Sequence, residues 1–326
     1  MAIAVSTSAA IRVNPQVALA ARAGLTSIPK QLPPWLFYDE AGSRLFDQIT
    51  ELPEYYLTRT ERSILTEYAG EMIAHAADGA RLQITELGAG SADKTRVLLQ
   101  AAVEQQGGVL YEPVDVSSTA LLVAQARIER EIPGVRVMPY ASDYTNGFFL
   151  DRTNAGERRL VLYIGSSIGN FEPNDARRVL HKVRKQLVPG DCLLLGVDLV
   201  KDEAVLLAAY DDAAGTTAAF NKNVLHRLNR DLAADFDLAA FAHRAAWNPA
   251  LSRIEMHLVS RRPQQVQISA LDLAIEFGVG ESIHTENSYK YRPDEAETLL
   301  AATDFAPIGS WTDERGWFAV HLARAE

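Results

Sequence analysis

With one cysteine in 326 residues, no disulfide can form within the chain, which fits a reducing compartment. That residue, Cys192, lies inside the apolar run Cys192-Leu193-Leu194-Leu195-Gly196-Val197 and reads as a buried strand residue, not as a nucleophile. The first ten residues lack a basic start followed by a sustained apolar stretch, and no apolar run approaches membrane-spanning length. The expectation is a soluble, cytoplasmic protein without a membrane partner. The seven histidines (His75, His181, His226, His243, His257, His284 and His321) form no ligand pair at helical or strand spacing and stand beside no cysteine cluster, so no metal is expected. Basic residues are outnumbered, 32 Lys and Arg against 42 Asp and Glu, for a net charge of −10. No basic cluster is long enough to release many counterions, which argues against nucleic acid. The run Arg177-Arg178 through His181, Lys182, Arg184 and Lys185 keeps Ala176, Val179, Leu180, Val183 and Leu187 at helical spacing and reads as the wet face of a helix.

What the chain does have is a hydrophobic content of 48% and a length that calls for one large or two unequal domains. Its most informative stretch runs from Leu82 to Thr95, an apolar strand entering a glycine turn and then a helix. Gly88 and Gly90 allow a tight turn and a close backbone approach to a ligand. Asp93 stands where the dinucleotide fingerprint needs its third glycine, and Glu86 sits two residues before the first. The pattern acidic-x-Gly-x-Gly looks more like a methyltransferase using S-adenosylmethionine (SAM) than a nicotinamide oxidoreductase. A short Gly-x-Gly after a strand is, by itself, also compatible with a plain tight turn.

Two further apolar runs end in acids. The first, Gly108 to Asp115, places Asp115 about 25 residues past the glycines, near the spacing at which an acid meets ribose hydroxyls. The second, Val135 to Tyr144, places Asp143 to accept from an adenine amino group with Tyr144 along the ring. Each acid alone can be read as a helix cap; three in sequence at strand ends make capping the poorer account.

Helix and strand alternate from about residue 62: a helix from Glu61 to His75, the three strands above, a fourth at Arg159 to Ile164, a helix from Pro173, and a fifth strand after Pro189-Gly190. Such alternation predicts a parallel sheet with helices on both faces. The segment Asp202 to Asn248 reads as helical and alanine-rich, followed by strands at Arg253 to Arg261 and Gln264 to Phe277. A helix at Asp294 to Ala302 and a terminal hairpin, Ala306 to Thr312 with Trp317 to Ala323, close the chain. The insertion and the aromatic-rich first sixty residues do not fit the alternation. They are expected to form a second domain over the ligand edge of the sheet and to carry specificity.

Small residues after the fourth strand, Gly165-Ser166-Ser167-Ile168-Gly169-Asn170-Phe171, open room for a ligand. Together with Leu52-Pro53-Glu54-Tyr55-Tyr56, Asp198-Leu199-Val200-Lys201-Asp202, Tyr210-Asp211-Asp212-Ala213-Ala214-Gly215 and Thr285-Glu286-Asn287-Ser288, they make the chain resemble the histidine-specific Nα-methyltransferases of ergothioneine biosynthesis. The likeness runs from about Gly24 to the C-terminus, and so many ordered matches are specific.

The resemblance implies an α/β fold: a class I SAM-methyltransferase (Rossmann-like) sheet with a C-terminal antiparallel hairpin, plus an α+β substrate-binding domain. It puts residues 1–61 and 202–290 in the histidine-binding domain and 62–201 and 291–326 in the SAM-binding domain. It implies trimethylation of the α-amino group of L-histidine to hercynine, with SAM as cofactor. Asn170 and Tyr210 match residues holding the substrate carboxylate, and Glu286 and Ser288 match the pair on the imidazole. Residues i and i+2 of a strand share a face, and a carboxylate and a hydroxyl there can orient a ring N–H. Tyr38 and Tyr55 match pocket tyrosines, Met256 a pocket wall, and Gly165 falls to the substrate side. Glu86, Gly88, Gly90, Lys94, Asp115, Asp143, Tyr144 and Ser166 fall to the cofactor side; Lys94 reads equally as a solvated lysine at a helix start.

Methyl transfer to an amine is an in-line displacement that needs a neutral, aligned nucleophile, and positioning alone supplies several kcal/mol. No strong general base is required; Tyr38, Tyr55 or water can relay the proton, with Tyr38, Tyr55 and Asn170 as the catalytic candidates. The expected state is a monomer. The rival readings are an N-methyltransferase of a related amino acid such as tryptophan, and a non-catalytic nucleotide- or partner-binding module.

Overall fold

The computed structural model describes residues 13–145, 149–151, 153–154 and 156–326. The chain divides into two compact units: Met1–Tyr55 with Asp202–Asn287, and Tyr56–Lys201 with Ser288–Glu326.

The second unit is built on one sheet, whose strands are β1 (Arg81–Leu87), β2 (Val109–Asp115), β3 (Val135–Val137), β4 (Tyr140–Ala141), β5 (Glu157–Tyr163), β6 (Cys192–Asp198), β7 (Phe305–Thr312) and β8 (Phe318–Ala325). Their order is β7-β8-β6-β5-β1-β2-β3, with β4 also beside β2. The strands from β1 to β6 run parallel, and β8 inserts antiparallel between β6 and β7. This is the class I methyltransferase sheet with its terminal hairpin. Every residue of β6 is buried, as are all but the first of β1, because helices cover both faces and leave no side of a parallel strand for water. Helices Tyr56–Ala77, Arg96–Gln106 and Ser118–Glu131 pack on one face, and Pro173–Arg184 and Glu295–Ala301 on the other. The basic helix buries Ala176, Val179, Leu180 and Val183 and turns Arg177, Arg178 and Lys182 to solvent, as its spacing predicts. Strand order reverses between β1 and β5, so the ligand crevice of such a sheet lies outside their carboxyl ends.

The first helix of this unit starts at Tyr56 rather than at Glu61. The expected third strand is broken between β3 and β4 at Met138-Pro139, where proline has no N–H to give the ladder.

The other unit holds helices Pro15–Leu25, Glu40–Thr50, Glu203–Tyr210 and Thr216–Leu232 and a sheet ordered Lys30–Gln31, Ser282–Tyr289, Arg253–Ser260, Phe241–Asn248. The third and fourth of these pair antiparallel from Phe241 opposite Ser260 to Asn248 opposite Arg253. The helical expectation for Asp202 to Asn248 therefore fails in its last third. Alanine is a weak strand former, and a cross-strand partner overrides local preference. Gln264 to Phe277 is two strands, Gln264–Ile268 and Leu273–Phe277, paired as a hairpin. Asp272 makes the reversal with φ of 46°.

Across the middle of the parallel sheet, the Arg159 guanidinium of β5 meets the Glu112 carboxylate of β2, each side chain 2% exposed. It also donates to Thr85 Oγ1 of β1 at 2.5 Å and to the Asp151 carbonyl at 2.6 Å. Removing one member leaves a buried charge uncompensated. Arg159→Leu is expected to lower unfolding free energy by about 3–5 kcal/mol, and adding Glu112→Leu is expected to restore most of it. Urea denaturation of the two variants checks this; an equal loss in both would show that packing, not charge, sets the cost.

Candidate active site

At the carboxyl end of β1 the chain turns through Gly88 and Gly90 with φ of 69° and 51°. The Gly88 N–H bonds the Val114 carbonyl at 2.8 Å, pinning the turn to the end of β2. Asp115, the last residue of β2, accepts the Gly90 N–H at 3.0 Å on one oxygen and the Ser117 N–H at 2.9 Å on the other. A carboxylate has about four acceptor sites, so these bonds aim it and leave capacity for hydroxyls. Asp143, just past β4, accepts from the Thr145 N–H at 2.9 Å and its hydroxyl at 2.6 Å. Beside it the Tyr144 ring stands edge-on to Tyr163, centroids 5.6 Å apart. A Cβ on Gly88 would come 3.7 Å from that ring. Burial pushes the Tyr144 phenol up to about 12, so it stays protonated and apolar in character.

Two expected cofactor residues, Glu86 and Ser166, are buried and bonded within the protein. Glu86 is 3% exposed; its Oε1 accepts from Thr95 Oγ1 at 2.7 Å and its Oε2 from the Tyr111 hydroxyl. Ser166 is also buried, and its hydroxyl accepts the Asp198 N–H at 2.9 Å. Each is held in place by protein donors. Lys94 is no solvated lysine: its ammonium pairs with Glu61, whose side chain is 0% exposed.

Gly165 follows β5 with φ of 87°. Asn170 ends the short 3-10 turn Ser167–Asn170, and Gly169 in that turn packs so closely on the Tyr289 backbone that a Cβ would stand 2.7 Å from its carbonyl oxygen. Next to Tyr289, the buried Ser288 hydroxyl accepts from Lys290 Nζ at 2.8 Å. Lys290 is in turn paired with Asp198 at 2.7 Å, both side chains being 0% exposed. Asp198 further takes the Tyr56 hydroxyl at 2.7 Å and Lys201 at 2.6 Å. Burial draws the Lys201 ammonium down to about 8.

In the other unit, Tyr38, Phe46, Tyr55 and Tyr210 follow one another as a row of ring contacts. Ring centroids lie 5.7 Å apart for Tyr38 and Phe46, 6.2 Å for Phe46 and Tyr55, and 6.3 Å for Tyr55 and Tyr210. Tyr55 and Tyr210 are buried and Tyr38 is 36% exposed. A buried polar chain supports them. His243 Nε2 lies 2.8 Å from the Tyr210 carbonyl and its Nδ1 2.9 Å from Asn221 Nδ2, which fixes a neutral ring protonated at Nε2. Burial also draws this imidazole below its ordinary value. Asn221 Oδ1 accepts from Thr285 Oγ1 at 2.8 Å, and the same hydroxyl lies 3.0 Å from the Met256 carbonyl. The chain thus joins Tyr210, Met256 and the strand of Glu286, itself 8% exposed.

His243, Asn221, Asp198 and Lys290 were not among the expected site residues, although Asp198 stood in one of the family motifs. Two others had readable marks. Asn221 falls among the buried Phe220, Val224, Leu225 and Leu228 of its helix, and Lys290 continues the i, i+2 alternation of Glu286 and Ser288. Among the described residues no group of three His, Cys, Asp or Glu side chains could hold a metal, and no helix is long and apolar enough to cross a membrane.

Burial pushes the Glu86 carboxyl up to about 7, against the pull of the Tyr111 and Thr95 bonds and of Lys94. An unfolded chain, with this carboxyl near 4.5, holds the proton less tightly. The stabilisation is therefore present at low pH and is lost as pH rises from 4.5 to about 7. Glu86→Gln is expected to flatten that part of the stability profile, read as urea midpoints at about pH 5 and about pH 7.5. A slope unchanged by the substitution would exclude Glu86 as its source.

The edge fits an adenosyl ligand: two glycines in a turn, open space where a Gly90 Cβ would stand, an aimed carboxylate and a flat phenol ring beside it. The family profile described as "Histidine-specific methyltransferase, SAM-dependent" matches residues 17–325. The chain is 48% identical to a histidine N-alpha-methyltransferase of Mycolicibacterium smegmatis over 93% of its own length and 92% of that protein. It is 45% identical to the protein of that name in Mycobacterium tuberculosis, covering 92% of each. The ergothioneine biosynthesis protein 1 of Neurospora crassa is 30% identical over 87% of this chain and 32% of that longer protein. The sheet, its glycine edge and these matches over nearly the whole chain agree: the chain belongs to the SAM-dependent histidine-specific methyltransferases.

Proposed function

We propose that the protein methylates the α-amino nitrogen of L-histidine three times to give hercynine, the betaine used in ergothioneine biosynthesis. The observation that carries this is the pair Glu286 and Ser288, both buried and two residues apart on one strand. An imidazole offers two ring nitrogens to two polar side chains, whereas an indole offers only one. Lys290 donates to the Ser288 oxygen, which orients that hydroxyl, and a hydroxyl can both give to and accept from a ring nitrogen. The Glu286 carboxylate suits the ring N–H.

When bound, SAM supplies a methyl group on a sulfonium. On our reading Gly88, Gly90 and Lys94 hold its amino-acid end, Asp115 its ribose, and Asp143 and Tyr144 its adenine. The chain's remaining task is to present a neutral amine on the in-line axis. Asn170 and Tyr210 fix the substrate carboxylate, and the Tyr38 and Tyr55 hydroxyls orient the amine and pass its proton toward water. Their ring faces favour the growing cation by ~0.5–2 kcal/mol. Alignment supplies the larger share of the rate, which accounts for a pair of tyrosines where a strong base is not needed.

Incubation of the purified protein with SAM and each common amino acid, followed by mass spectrometry, is expected to show histidine gaining three methyl groups. Methylation of tryptophan in its place would keep the fold and cofactor and overturn the roles of Glu286 and Ser288. Glu286→Ala is expected to weaken histidine binding by roughly 1.5–3 kcal/mol, the worth of a hydrogen bond to a charged group, with SAM binding unchanged. Calorimetry giving wild-type histidine affinity would remove Glu286 from the pocket.

A further inference from the structure

Glu61 belongs to none of the groups assigned above to substrate or cofactor, yet, like Asp198, it is a completely enclosed acid near the ligand edge of the sheet. It lies on helix Tyr56–Ala77 and is 0% exposed. One carboxylate oxygen accepts the Gly165 N–H at 2.7 Å and the other the Lys94 ammonium at 2.5 Å. Room for it is made on β6, where a Cβ at Gly196 would stand 2.2 Å from Oε1. Lys94 Nζ in turn lies 3.0 Å from where a Gly165 Cβ would be. A single carboxylate thus ties the loop after β1 to the loop after β5, the two strands that flank the switch point.

Holding the loops together needs only a hydrogen-bond acceptor. A full negative charge placed out of water next to an ammonium does something more: it cancels that ammonium where the cofactor binds. The cofactor before transfer is a sulfonium cation. The product, S-adenosylhomocysteine (SAH), is a neutral sulfide, alike at its adenosyl and amino-acid ends. An uncompensated lysine at this edge would repel the first and spare the second, and poorly screened charges interact strongly. We infer that Glu61 is a positioning residue that neutralises Lys94, so that the crevice accepts the cationic cofactor and does not favour the spent one. This rests on the cofactor reading given above.

The test is isothermal titration of the whole chain with SAM and with SAH, taking the ratio of the two dissociation constants, alongside a thermal melt of each variant. Glu61→Gln keeps an acceptor for Gly165 and removes the charge; it is expected to raise the SAM-to-SAH ratio about fivefold or more. Lys94→Met is expected to lower the ratio, and the double variant to return it toward wild type even where both affinities fall. Should Glu61→Gln fail to fold, Lys94→Met carries the test, because its lowered ratio is expected only where an uncompensated Glu61 carboxylate remains at the edge. A ratio unmoved while both constants rise together would mean a merely structural acid and would overturn the inference. Wild-type protein binding neither ligand would overturn the cofactor reading, and this inference with it.

Discussion

Burial of a parallel sheet on both faces is the constraint from which the rest of this structure follows. With helices over each side, strands such as Cys192–Asp198 have no wet face, and apart from the buried Arg159–Glu112 pair the polar chemistry gathers at the strand ends. That is why the residues of interest recur where a strand stops: Gly88 and Gly90, Asp115, Asp143, Gly165 and Asp198 all lie at or just past a carboxyl terminus. The largely apolar middle supplies the stability and fixes where those ends lie.

The edge is also where charges are taken out of water in compensated groups. Glu61 meets Lys94 and Gly165; Asp198 meets Lys201, Lys290 and Tyr56; Glu86 meets Thr95 and Tyr111. Left alone, any of these would be costly in so dry a place. Satisfied, they set loops rigidly without presenting net charge at random, which suits a reaction that gains its rate from alignment. The other unit uses a neutral version of the same device. His243, Asn221 and Thr285 form a hydrogen-bonded line that fixes Tyr210 and the strand of Glu286 from behind.

Much of this was legible in the sequence. Alternating apolar runs and turn residues placed the parallel strands and the terminal hairpin, and the glycine pair with Asp115 marked the ligand edge. The ordered short motifs named the family. Errors fell where local preference and tertiary pairing disagree. Phe241–Asn248 carries three alanines and reads as helix, yet pairs along its length with Arg253–Ser260.

The sequence by itself determined the fold class, the reaction family and the strand ends that carry chemistry, since these depend on periodicity, glycine placement and motif order along the chain. Only the tertiary structure decided which polar groups meet each other. Glu61 and Lys94 are 33 residues apart, Lys290, just past the strand Ser282–Tyr289, pairs with Asp198 at the end of another strand, and Asn221 and Thr285 are 64 apart. No local pattern encodes such a meeting. It arises when packing brings distant segments together and leaves each buried charge or hydroxyl to be satisfied by whatever polar group the fold has placed beside it.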